Sequence, residues 1–180
     1  TADGIRAHVT NALGDTEGHP ASNFNDFAQE VRALWSLGPD MLFWYEDGLE
    51  RGIGNPGNGL VSYDIDRVRG VSLGCPSPRS LVTIRGVVWY VAQTGEVAVF
   101  TGSTSESVTR PVHSYLRPQS PISFDPLNVP RPELPALDTC VGVWYQPWNM
   151  YVVFMEGESA GVWDLGIGVN FDTREVSVLT

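Results

Sequence analysis

His113 and Ser114, with Asp125 downstream, are the residue types of a base, a nucleophile and an orienting acid, the set that acyl-transfer hydrolases use. Their spacing argues against that use. Neighbours on an extended chain point to opposite sides, so His113 could take the Ser114 proton only across a sharp turn, and no Gly-x-Ser-x-Gly elbow surrounds the serine. Asp64 and Asp66 sit two residues apart, which on a strand places both carboxylates on one side, within reach of one hard cation. Calcium takes six to eight oxygens, so this pair would need ligands from a neighbouring subunit. Glu46, Asp47 and Glu50 form a second acidic group, and neither group follows the twelve-residue calcium loop. His8, His19 and His113 make no zinc spacing with Cys75 or Cys140. The run GIGNPGNG at 52–59 lacks the Lys-Ser/Thr and the helix of a phosphate loop. The sequence therefore assigns no catalytic residue, no resident metal and no cofactor; calcium shared between subunits is the one ion it leaves open.

Aromatic residues carry more information. Trp144, Tyr145, Trp148 and Tyr151 fall within eight residues, with Pro147 among them, and Trp44-Tyr45 and Trp89-Tyr90 are adjacent pairs. On a strand, one member of each pair faces one side and its neighbour the other, so a single one-sided core cannot hold them all. Two uses remain: a core on both sides of a sheet or a subunit contact, and a sugar-stacking platform formed by Trp144, Tyr145, Trp148 and Tyr151.

The elements that would position these groups are read from periodicity. Phe24, Phe27, Ala28, Val31, Leu34 and Trp35 recur at three- and four-residue steps, which predicts an amphipathic helix over 22–38, capped by Ser22 or Asn23 and stopped by Gly38-Pro39. Beyond it, short runs rich in β-branched and aromatic residues predict strands over 41–110 and again over 141–180. Residues 81–91 should pair with 96–101 through Gln93-Thr94-Gly95, and 150–155 with 162–171, followed by a turn at Asp172-Thr173-Arg174 into 175–179. Residues 60–65 and 70–73 read as shorter strands, and 52–59 as too rich in Gly and Asn for a regular element. Between the two groups, 111–135 holds seven of the thirteen prolines and should run extended over the surface. The expected fold is mainly β, an antiparallel sandwich or barrel of jelly-roll type, with one helix near the amino terminus after a segment at 1–21.

Length and charge bound the rest. The 180 residues suit one domain with its own core. A formal net charge of −10 opposes any phosphate backbone or anionic lipid surface, so neither nucleic acid nor membrane is an expected partner. All eleven basic residues are arginine, for which no physical requirement accounts. Two cysteines permit at most one disulfide.

An acidic, aromatic-rich β chain with the hairpin LVTIRGVVWYVAQTGEVAVFTGS followed by RPVHSYLRPQSPISFDPLNVPRPELP resembles the protruding domain of small icosahedral insect RNA-virus capsid proteins, in the style of nodaviruses and tetraviruses. The resemblance implies a projection on the virion surface that self-associates as a dimer or trimer and meets a host receptor or glycan. The alternative from another class is a secreted carbohydrate-binding module or glycosidase-like β protein.

Overall fold

Alternation of inward and outward side chains, with tight turns between short runs, yields three four-stranded antiparallel sheets, each built from consecutive strands. The computed structural model describes residues 8–10, 16–18, 30–55, 62–109, 134–156, 161–163 and 165–179. A small hairpin pairs β1 (His8–Thr10) with β2 (Thr16–Gly18). The first large sheet runs β3 (Ala33–Leu37), β4 (Asp40–Trp44), β5 (Leu49–Asn55), β6 (Ser62–Arg67). The second contains β7 (Val82–Ile84), β8 (Val87–Val91), β9 (Val97–Phe100) and β10 (Ser105–Ser107), and the third β11 (Val141–Tyr145), β12 (Met150–Met155), β13 (Leu165–Asn170) and β14 (Val176–Leu179). Within each sheet the strand order follows the chain, so the sheets are meanders and lack the Greek-key crossings of a jelly roll. They do not close into a barrel.

The described residues do not support the predicted helix over 22–38. Residues 22–29 lie outside the described part, and the remainder of the stripe is extended: Ala33–Leu37 is β3, paired with β4 from Ala33↔Trp44 to Leu37↔Asp40. Ala33, Trp35 and Leu37 all pack toward one core, a period of two that the three- and four-residue spacing concealed. Gly38-Pro39 is the hairpin turn rather than a helix stop, and Gly38 supplies its positive φ of 60°.

Other boundaries also move. The predicted long strand 81–91 is itself a hairpin, β7 and β8, folded at Arg85-Gly86, where φ values of 49° and 82° match the left-handed pair of a type I′ turn. The expected pairing of its second half with β9 holds, from Val88↔Phe100 to Val91↔Val97, and Gly95 sits at φ 79° in the connecting turn. Residues 70–73 form no strand; Gly70 makes one isolated parallel bridge to Thr104. Strand β5 runs through Gly52 to Asn55, into the segment expected to be irregular. The carboxy-terminal hairpins follow the expected order, Met150↔Asn170 to Met155↔Leu165 and Gly166↔Leu179 to Val169↔Val176.

The second sheet is buried on both faces. Val88, Tyr90, Ala92, Ala98 and Phe100 pack against Ala33, Leu42, Trp44 and Leu49 of the first sheet. Their neighbours in sequence, Trp89, Val91, Val97 and Val99, pack against Tyr151, Val153, Met155, Ile167 and Val169 of the third. Trp89 and Tyr90 are therefore both fully buried, one in each core. The stacking is consistent at both interfaces: Trp35 Nε1 on β3 donates to Thr83 Oγ1 on β7 at 2.8 Å, and β7 in turn lies beside β11. First strands adjoin first strands.

A buried polar knot ties the third sheet to the second. The short 3-10 turn Pro78–Ser80 receives the Tyr151 hydroxyl, which donates to the Ser80 carbonyl at 2.6 Å. Ser77 Oγ donates to the Cys140 carbonyl at 2.7 Å, and the Val91 amide donates to Ser80 Oγ at 3.1 Å. Each buried group thereby finds a partner. Cys75 and Cys140 are both buried and are not joined in a disulfide.

Candidate contact site

Strands β11, β12 and β13 contain no charged residue, and from Val141 to Met155 the chain carries none at all. Alternation then makes both faces of this sheet apolar. Tyr151, Val153, Met155, Ile167 and Val169 fill the inner face, and Val143, Tyr145, Met150, Val152 and Phe154 fall on the outer one. Val143 is 41% exposed, Tyr145 42% and Phe154 39%. On β13 the outer positions are Gly166 and Gly168. A β-carbon at Gly168 would collide with the Met150 terminal methyl, and one at Gly166 would meet Leu179 Cβ at 3.0 Å, so the glycines let Met150 and Leu179 lie flat across the sheet. Eight large apolar side chains among the described residues are exposed, and six of them, Val143, Tyr145, Trp148, Phe154, Val162 and Trp163, belong to this sheet and its hairpins. Concentration of that kind marks an interaction surface rather than the scattered exposure of an ordinary one.

The predicted aromatic platform divides in two. Tyr151 is fully buried and Trp144 is half-buried against Phe171, ring edge to face at 6.1 Å. Tyr145 and Trp148 point outward, their rings 5.1 Å apart and nearly perpendicular. Pro147 explains the split: it starts a single 3-10 turn, Gln146–Trp148, that breaks the strand's alternation and lifts Trp148 off the sheet.

The residues in and flanking the turn, Trp144, Gln146 and Asn149, line with Thr83, Ile84 and Arg85 a hollow of about 470 Å³. Three non-glycine residues among those described have positive φ, namely Arg85, Asn149 and Arg174, and all three sit at this end of the stack. Arg85 donates to Asn149 Oδ1 at 3.2 Å and to Asp172 Oδ1 at 3.3 Å, and Asn149 also donates to Asp172. The Arg85 guanidinium lies 4.7 Å from the centre of the Phe171 ring, and that of Arg174 lies 4.8 Å from the Trp89 ring, distances at which a cation is attracted to the aromatic face. Of these turns the sequence marks only Asp172-Thr173-Arg174; those at Arg85 and Asn149 have no signature there beyond the Gly86 that follows Arg85.

The remaining candidates are either separate from this sheet or outside the described residues. His113, Ser114 and Asp125 lie outside the described residues, as does His19; His8 is on β1. Asp64 and Asp66 do occupy β6, opposite Ile53 and Arg51. Asp66 shares a surface hollow with Arg51, Arg67 and Arg69, and that surplus of positive charge opposes a dication. No group of three His, Cys, Asp or Glu side chains among the described residues is placed to hold a metal.

Titration behaviour points the same way. Burial pushes the Cys75 and Cys140 thiols up to about 12, and burial raises Tyr90 and Tyr151 as well. A nucleophilic cysteine needs its thiolate favoured; here the protonated form is favoured at both. Tyr45 is raised by burial and by its hydrogen bond to the Glu50 carboxylate.

No family model and no curated protein matches the chain. Among the described residues, no helix is long and apolar enough to cross a membrane.

Proposed function

We propose that this chain is a structural, contact-making domain of a multi-subunit particle, which acts by docking and not by turnover. The observation that carries the reading is the charge-free third sheet with six of the eight exposed large apolar side chains, in a chain whose net charge is −10. An acidic surface keeps copies soluble and apart, and the single neutral, aromatic face is where contact costs no charge desolvation. The capsid projection is the specific form of this proposal, supported by the resemblance of the sequence and by the exposed apolar side chains of the third sheet and its hairpins. The test is electron microscopy of particles formed by protein carrying Phe154→Glu. Failed or irregular assembly with an intact fold is expected; particles indistinguishable from the parent would sink the reading.

A second reading has its own support in the Tyr145–Trp148 corner. Trp148 is 62% exposed, and its neighbours Gln146 and Asn149 line, with Arg85 and the Trp144 ring, a hollow bearing hydrogen-bonding groups, the combination of ring face and planar polar groups that binds a sugar. Glycan-array binding that vanishes with Trp148→Ala would favour it over the particle reading.

A further inference from the structure

We propose that Trp89 and Arg174 hold one small monovalent anion of the halide class, such as chloride, where the third sheet meets the second. The site is independent of the contact reading above and holds whichever partner the domain docks.

Two buried donors carry the proposal. Among the described residues, Trp89 Nε1 and Arg174 Nη1 are both buried and have no hydrogen-bond partner. They belong to one contact: the Arg174 guanidinium lies 4.8 Å from the centre of the Trp89 ring and 5.6 Å from that of Phe171. A buried N–H with nothing to donate to is destabilising, and native folds rarely leave one so. Two of them in one contact, one of them cationic, mark the place of an acceptor.

Charge selects the acceptor. Arg174 shares its turn with two acids, and both have other partners: Asp172 takes Arg85 and Asn149, and the exposed Glu175 takes the Thr173 hydroxyl. No carboxylate among the described residues forms an ion pair with Arg174. Its charge is balanced by a monovalent anion, whereas a dianion would bring an uncompensated charge out of water. Water is the competing occupant. It could accept from both donors, but it has two hydrogens of its own to place, and the groups packed on Trp89 and Arg174 are the rings of Phe171 and Tyr151. A halide needs no acceptor.

The local backbone and the neighbouring hollow fit this use. Arg174 sits at φ 60°, a left-handed conformation that costs a non-glycine residue free energy and persists where something compensates. Arg85 and Trp144 line the hollow described above, and both contact Phe171, so the hollow ends one ring away from the donors and gives an ion its way in.

Thermal melting of the intact chain in sodium chloride against sodium gluconate, at one ionic strength, tests this. An ion that binds only the native state stabilises it by mass action, so over about 1 to 300 mM chloride the melting temperature should climb by a few degrees and saturate. Bromide should act in the same way. Arg174→Gln should abolish the dependence, and Trp89→Phe, which keeps a ring and deletes the donor, should weaken binding at least tenfold. Chloride NMR line broadening by the parent protein, reversed by bromide, reports the same site without any variant and decides the matter if a variant does not fold. Coincident chloride and gluconate curves overturn the proposal, as does an absence of excess line width. So does a chloride dependence that survives Arg174→Gln or is untouched by Trp89→Phe.

Discussion

Removing the Tyr151 hydroxyl isolates one atom of the knot between the second and third sheets. Tyr151 is fully buried, its ring packs 5.4 Å from Trp89, and its hydroxyl donates to the Ser80 carbonyl. Tyr151→Phe keeps the ring and its packing, and it strands a buried carbonyl acceptor. Loss of one partner from a buried hydrogen bond costs about 1–3 kcal/mol. For a chain of this length, a loss of about 2 kcal/mol lowers the melting temperature by about 4–8 °C. Gly142→Ala attacks the same place from the other side, because the added β-carbon would stand 2.5 Å from the Ser80 oxygen and 2.6 Å from the Tyr151 hydroxyl. One of those two contacts is backbone, which cannot swing away, so the alanine should cost at least as much as the lost hydrogen bond. In the double variant the hydroxyl contact disappears while the Ser80 contact stays, so the summed cost should fall short of additivity by a fraction of the alanine's own cost. Urea titration followed by tryptophan fluorescence gives all three values, with the m-value unchanged if compactness is retained. A Tyr151→Phe loss below about 0.5 kcal/mol, under the range for a stranded buried acceptor, would refute the assignment of the knot as the anchor.

Alkaline pH should destabilise the fold. The thiols of Cys75 and Cys140 titrate near 9.0 when unfolded and near 12 when folded, so above pH 9 the unfolded chain releases protons that the native state keeps. The raised-pKa contribution is fully present below pH 9 and declines through pH 12, by about 1.4 kcal/mol per pH unit for each thiol. Urea midpoints measured from pH 8 to 11 should fall monotonically, and a flat profile contradicts the burial of these thiols. For the same reason neither thiol should react with Ellman's reagent at pH 8 without denaturant; rapid stoichiometric labelling would show them accessible. Gly74→Ala should prevent folding or cost more than about 3 kcal/mol, since its β-carbon would run into the Glu46 and Asp47 backbone. Trp148→Ala, at an exposed site, should change stability by no more than about 0.5–1 kcal/mol, and a larger loss measured by thermal melting would mean that Trp148 is part of the core.

How much of this was legible depends on whether the signal was local. The β8–β9 and β13–β14 hairpins are readable because Gly95 and the polar Asp172-Thr173-Arg174 run punctuate alternating apolar residues. The helical expectation fails because Val31, Leu34 and Trp35 fit a three- and four-residue stripe while Ala33, Trp35 and Leu37 fit a strand alternation, and tertiary pairing with β4 decides between them. The type I′ turn at Arg85-Gly86 was invisible because only its second residue is glycine. For the aromatics, the argument that Trp89 and Tyr90 could not share one core was sound, and two cores are what resolved it. Which of the clustered rings faced outward was not readable, since it turns on Pro147 starting a single 3-10 turn after β11.

Consecutive four-stranded meanders stacked face to face, with first strands adjoining, are the arrangement of blades in a β-propeller. As described, the first and third sheets each present an outer face, and the two differ in charge. The first sheet's outer face buries Phe43, exposes Leu34 and carries Glu50, which pairs with Tyr45; the third sheet's outer face is neutral, buries Met150 and Val152 and exposes Val143, Tyr145 and Phe154. A sheet meant for water alternates apolar with polar positions. The third sheet does not, although the chain has 32 charged residues to spend elsewhere, 11 basic and 21 acidic. The same physics that buries the second sheet between two neighbours therefore makes the exposed Val143, Tyr145 and Phe154 the part of the third sheet where a contact would remove most apolar surface from water.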